Sequence, residues 1–225
     1  MIFMAMEVER YQVLLDRRWD LEDLYIFPRA YEQVYFAYQA LLAYDDDLIE
    51  GRIARAFQAY PWRGGYSAVN FYNQLKYVTP KKERPQVVRI EYASPGYLEL
   101  VLNLPLALQI AGVVNVIAGT LLACNKVYNA IYVQAQKRKL LRMDVESRRI
   151  QLDRDQLDFL NAANVEMAEL VGLSDPLVLN ERTGNPLVTL KILMSIYRRL
   201  RTLAKYQRMG KAYLPKEEFQ RHNTN

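Results

Sequence analysis

The sequence predicts an α+β N-terminal module followed by a mainly helical region with one long apolar, transmembrane helix and a basic C-terminal helix. Three observations lead there. Residues 100–125 run for 26 positions without Asp, Glu, Lys or Arg. As one helix that run would extend roughly 39 Å, more than the roughly 30 Å of a bilayer core. Strand-like and helix-like patterns are mixed before residue 98, whereas the pattern is helical from Tyr97 onward. Charge is also uneven: residues 182–225 carry ten Lys and Arg against Glu217 and Glu218, a net +8 that leaves −3 of the total +5 for the rest. A basic end on a mildly acidic body suits an anionic partner, nucleic acid or lipid headgroups.

The elements follow in order. Residues 6–15 alternate loosely and end in Val13-Leu14-Leu15, which reads as a strand. Asp20 caps a short helix that Pro28 ends, and Pro28 in turn opens a second helix over 28–44. Asp45-Asp46-Asp47 marks a turn and the start of a helix over 47–60, and residues 66–78 form another. The β-branched content of 86–94 predicts a strand, closed by the turn Ser94-Pro95-Gly96. Beyond the apolar run, a charged helical stretch over 137–173 carries Leu141, Val145, Leu152, Phe159 and Val165 as a narrow stripe of the coiled-coil kind. A last helix over 186–211 aligns Leu190, Leu193, Ile196, Tyr197, Leu200 and Leu203. The expected organisation is a sensing module over 1–98, an apolar transmembrane helix over 99–134, a charged helical stalk over 135–173, and a basic amphipathic helix and tail over 174–225.

On a helical wheel the apolar run has two faces. Gln109, Gly112, Val116, Gly119, Thr120 and Ala123 cluster on one, with Pro105; Leu106, Ile110, Val113, Val114, Ile117 and Leu121 fall broadly opposite. Small and amide residues facing protein or water, with bulky aliphatics facing lipid, suit a helix that packs in an oligomer. Gln109 and Thr120 would then line a pore. Thirteen Leu, Ile and Val residues contribute roughly −6 kcal/mol to insertion. Asn103, Gln109, Asn115, Asn125 and Pro105 offset much of it, which favours an oligomer that pairs its amides internally. The alternative is a long core helix buried in a soluble oligomer.

Few chemistries survive the composition. His222 is the sole histidine and Cys124 the sole cysteine, so a histidine-based triad, a zinc knuckle and an intrachain disulfide are excluded. Neither a Walker loop nor G-x-G-x-x-G occurs. Asp45-Asp46-Asp47 reads as a solvated turn. No catalytic residues, metal or cofactor are therefore expected. Binding residues are easier to nominate. Twelve of the seventeen tyrosines lie before residue 98. Tyr60, Trp62, Arg63 and Tyr66 place stacking rings and a guanidinium on one glycine-bearing loop, a candidate site for a nucleotide or single-stranded oligonucleotide. The same tyrosines also suit a half-buried core with hydroxyls at the surface. Arg198, Arg199, Arg201, Lys205 and Arg208 form the candidate anionic-partner patch on the last helix, whose Leu/Ile stripe equally suits packing.

The stretch Ile90-Glu91-Tyr92-Ala93-Ser94-Pro95-Gly96-Tyr97-Leu98-Glu99-Leu100, an extended segment ending in a Ser-Pro-Gly turn before an apolar and then a charged helix, resembles the membrane effectors of bacterial Hailong-type antiphage defence. The resemblance covers residues 86 to about 142. It implies an oligomer in the bacterial inner membrane that opens an ion-conducting pore, held closed by a single-stranded oligodeoxynucleotide from a partner nucleotidyltransferase. Self-association, the lipid bilayer and that ligand are the partners it implies. The alternative function is a soluble, cytoplasmic oligomeric adaptor that binds nucleic acid through its basic C-terminal helix.

Overall fold

The computed structural model describes residues 8–42, 46–58, 64–142, 152–173 and 176–215. The chain divides into two compact units. The first comprises Met1–Gln39, Thr79–Leu121 and Arg199–Asn225; the second comprises Ala40–Val78 and Leu122–Arg198.

The first unit is built on a four-stranded antiparallel sheet: β1 (Val8–Leu15), β2 (Gln86–Glu91), β3 (Gly96–Asn103) and β4 (Ala212–Tyr213), in the order β2-β3-β1-β4. β3 corrects the expectation of helix from Tyr97 onward. Its Leu98, Leu100 and Leu102 alternate onto one buried face, and it pairs with β1 on one side and β2 on the other. Period-two burial between two strands overrides the helical tendency of leucine. Tyr11, Val13 and Leu15 of β1 share that buried face, since Tyr11 stands opposite Leu100 and Val13 opposite Leu98. The other face carries the charged groups, with the exposed Arg10 placing Nη1 3.1 Å from Oε1 of the buried Glu99.

Helix α1 (Leu21–Gln39) begins with a reciprocal cap: Asp23 N–H donates to Asp20 Oδ1 at 2.9 Å and Asp20 N–H to Asp23 Oδ2 at 3.1 Å. It continues through Pro28, correcting the expected division into two helices. Phe27, Ala30, Tyr31 and Val34, on both sides of the proline, are buried, and that packing outweighs one lost backbone bond.

The long apolar helix is the main correction. Among the described residues no single helix is long and apolar enough to cross a membrane. The charge-free run is split between the end of β3, α4 (Leu104–Gly119, 16 residues) and the start of α5 (Leu121–Lys137), with a 92° bend between the two helices. The causes are local. Asn103 caps α4 by accepting from Leu106 N–H at 3.1 Å, with Pro105 in the first turn. At the other end Gly119 is a poor helix former, and the Thr120 hydroxyl donates back to Val116 O at 2.7 Å, a bond that bends helices. The bulky face of α4 (Leu106, Ile110, Val114 and Ile117) is buried within the protein, where α4 packs on α1, β1 and β3. Its small-residue face is the open one.

The second unit is helical, comprising α2 (Asp47–Gln58), α3 (Gly64–Val78), α5, α6 (Arg154–Leu170), α7 (Pro176–Thr183) and the first part of α8 (Pro186–Arg208). α2 packs on α3 and α7, with Phe57 edge-on to Phe71 at 5.3 Å. The charged stretch after α5 is not one helix. α5 ends at Lys137, a short 3-10 turn covers Leu140–Arg142, and α6 restarts at a capping box formed by Asp153 and Gln156. α6 buries Leu160, Ala163, Asn164, Met167 and Ala168, a different face from the expected stripe: Val165 is exposed, and Val145 lies outside the described residues. On α8, Leu190, Leu193, Ile196, Tyr197, Leu200 and Leu203 are all buried.

Candidate functional site

An open apolar surface of the first unit lies where α1 meets β2. Among the described residues β2 is an edge strand. A bulge between Val87 and Arg89 lets Val87 oppose Leu100 and Ile90 oppose Leu98, so both side chains point to the core face of the sheet. On β3 and β1 that face is sealed; on β2 it is not. Val87 stays 59% exposed and Ile90 58%. Across from them α1 presents Leu24, Tyr25 and Pro28, leaving a groove of about 490 Å³ with Leu98, Leu100 and Tyr31 in its lining. Leu21, Val88 and Tyr92 add exposed apolar surface on the same two elements and just beyond β2.

Polar groups frame this surface. Arg29 lies over the Tyr25 ring, 5.2 Å from its centroid, and donates to the Tyr25 hydroxyl. On the charged face of β2, Arg89 Nη2 sits 2.8 Å from Glu91 Oε2 and its guanidinium covers the Tyr97 ring. Desolvation and a hydrogen bond to Glu91 raise the Tyr97 hydroxyl above its ordinary pKa. Beneath the groove, burial drives the Tyr31 hydroxyl well above its ordinary value, with Tyr11 and Tyr35 adding to the effect, and the group has no hydrogen-bond partner among the described residues. Tyr35 is pushed up to about 12, chiefly by burial. Its hydroxyl donates to Glu83 O at 2.9 Å and accepts from Asn103 N–H at 3.1 Å, tying α1 to the junction of β3 and α4.

A second polar knot holds the sheet's far end. Lys211 Nζ lies 2.6 Å from Asp23 Oδ2, and the Tyr206 hydroxyl donates to Asp23 Oδ1 at 2.9 Å. Burial raises the Asp23 carboxyl, but the bonds from Lys211, the Asp20–Asp23 cap and Tyr206 outweigh it and hold the group below the ordinary carboxylate range. Trp19 donates its Nε1–H to Asp16 O and Lys211 O and packs against Phe27 and Tyr206. Among the described residues no three His, Cys, Asp or Glu side chains gather to hold a metal ion.

The residues nominated from sequence are dispersed. Tyr60, Trp62 and Arg63 lie outside the described residues, as does the Tyr66 side chain, although Tyr66 falls within α3. Gln109, Val116, Gly119 and Thr120 are exposed and Gly112 is half-buried on the outer face of α4; Ala123 is exposed on α5. Among the described residues nothing crowds Gly112 or Gly119 where a side chain would stand, so neither glycine serves a close approach there. Arg198 donates to the Tyr128 hydroxyl at 3.2 Å, and Arg199 Nε donates to Gln33 Oε1 at 2.6 Å. Arg201 is half-buried, and Lys205 and Arg208 are exposed. The α1/β2 groove was not anticipated. Its signal is the edge-strand segment Gln86-Val87-Val88-Arg89-Ile90, where apolar residues three apart replace strict alternation.

Compared with known proteins, the chain matches no family, no curated protein and no solved structure.

Proposed function

We propose that this chain is a self-associating adaptor, a binding protein and not an enzyme, whose α+β unit engages other chains through the α1/β2 surface. The observation that carries the reading is the pair Val87 and Ile90: core-facing by register, yet more than half exposed at a sheet edge. Apolar side chains on the core face of an edge strand cost solvation that a partner recovers, and such edges template pairing. The pore expectation drew on one long apolar helix, which the bend between α4 and α5 divides, so it has less support here. An adaptor for nucleic acid has less support, because Arg198 and Arg199 spend hydrogen bonds on Tyr128 and Gln33.

The test is sedimentation velocity of the wild-type chain beside Ile90→Asp. The expected result is a concentration-dependent assembly that the variant weakens at least tenfold, about 1.4 kcal/mol. Wild-type and variant chains sedimenting identically would remove the proposal.

A further inference from the structure

Resting on that adaptor reading, we infer that the partner at β2 is a second copy of this chain, paired antiparallel through β2 about a two-fold axis at Ile90. A two-fold interface requires a self-complementary surface. The β2 edge has this property about Ile90 and lacks it about its neighbours. With Ile90 opposite Ile90 of the second copy, Arg89 stands opposite Glu91 of that copy and Glu91 opposite its Arg89. Both residues face the charged side of the sheet, because Arg89 opposes Glu99 and Glu91 opposes Tyr97. The two ion pairs therefore form on one face while the isoleucines meet on the other. An axis at Arg89 would set guanidinium against guanidinium, which destabilises a cross-strand pair.

The components are already arranged for this exchange. Arg89 and Glu91 bond to each other along the strand at 2.8 Å and are largely exposed, at 62% and 43% of their side chains. Each can turn to an identical partner across the new ladder. The bulge at Val88 falls outside the Arg89-Ile90-Glu91 centre and opposes only Tyr92 of the second copy. The apolar surface is also of useful size. Leu24, Tyr25, Val87 and Ile90 are the exposed large hydrophobics that line the groove. At on the order of 100 Å² each they offer about 400 Å² per copy, half of one partner's share of a standard interface, to which the strand ladder and the charge pairs add. Pairing would join the two sheets into one eight-stranded sheet, β4-β1-β3-β2 continued by the same order reversed.

Charge exchange tests the register. Arg89→Glu alone and Glu91→Arg alone each place like charges opposite each other in the homodimer, so each is expected to dissociate at least tenfold more readily than wild type. Mixed in equal amounts, the two variants place opposite charges at every cross-strand position. The mixture is expected to sediment as a heterodimer. Because Glu99 faces Arg89 across β3 and the acidic variant bears that repulsion within one chain, a second measurement is included. Ile90→Cys puts two thiols on the axis, with Cα atoms about 4.5–5.5 Å apart, within the span of a disulfide. It should cross-link rapidly under mild oxidation, whereas Val87→Cys, separated from its copy by roughly 20 Å along the ladder, should not. A mixture that stays monomeric together with an uncross-linked Ile90→Cys overturns the register. If Ile90→Asp nonetheless weakens assembly, the adaptor reading survives that outcome; if wild type never assembles, both fail.

Discussion

Replacing Ile110 and Val116, six residues apart on α4, asks which side of that helix faces the protein. Ile110 is 0% exposed and Val116 63%. Ile110→Ala removes three carbons, worth about 2.4 kcal/mol of transfer at about 0.8 kcal/mol each. The residual cavity adds to this, and the better helix propensity of alanine returns about 0.5 kcal/mol. A net loss of about 3 kcal/mol is expected. In a chain of this size that lowers Tm by roughly 6–12 °C. Val116→Ala empties no cavity and gains helix propensity, so its change stays within about 0.5 kcal/mol and leans towards stabilisation. Urea denaturation of both variants, with calorimetry for Tm, reads the contrast. If Val116→Ala costs as much as Ile110→Ala, or Ile110→Ala costs nothing, the assignment of the bulky face to the protein interior is refuted.

Tyr35→Phe leaves Glu83 O and Asn103 N–H buried without their shared hydroxyl, and urea denaturation should show a loss of about 2–4 kcal/mol; an unchanged midpoint would mean that the hydroxyl does not bridge them. The depressed carboxyl of Asp23 stabilises the fold fully above the ordinary aspartate pKa, near 3.9, and loses that contribution as pH falls through its folded value. Asp23→Asn should therefore be less stable than wild type at neutral pH, with the gap narrowing in acid; a gap constant from pH 7 to 2 contradicts the Lys211 and Tyr206 contacts. Gly112→Ala meets open space and should raise stability by about 0.5–1 kcal/mol, and a fall in Tm would show that something packs against that glycine.

What the sequence disclosed depended on whether a signal was local. The α8 stripe from Leu190 to Leu203 was readable because 3.6-residue spacing makes one face apolar whatever it packs against. β3 was hidden because Leu98, Leu100 and Leu102 alternate only briefly before α4 takes over, and the absence of charge joined strand and helix into one apparent span. The break at Thr120 had only Gly119 and a hydroxyl to announce it. Pro28 misled in the other direction, since the burial that carries α1 through it comes from residues distant in the chain. The α1/β2 groove left only the broken alternation of Gln86-Val87-Val88-Arg89-Ile90 as a trace in the sequence. Nothing local to Val87 or Ile90 says that β2 ends the sheet; that follows from strand order, which is set by β1 pairing with both β3 and β4.

The bond from Trp19 Nε1 to Lys211 O joins residues 192 apart in the chain, and Leu14 and Leu15 of β1 wait equally long for Tyr213 and Ala212. A ribosome making this protein therefore releases the first strand well before the segment that finishes its edge exists. Until Lys211 clears the exit tunnel, Trp19 lacks one of its two acceptors and β1 lacks the partner on its β4 side. Late closure of that edge of β1 follows from the order in which the parts are delivered.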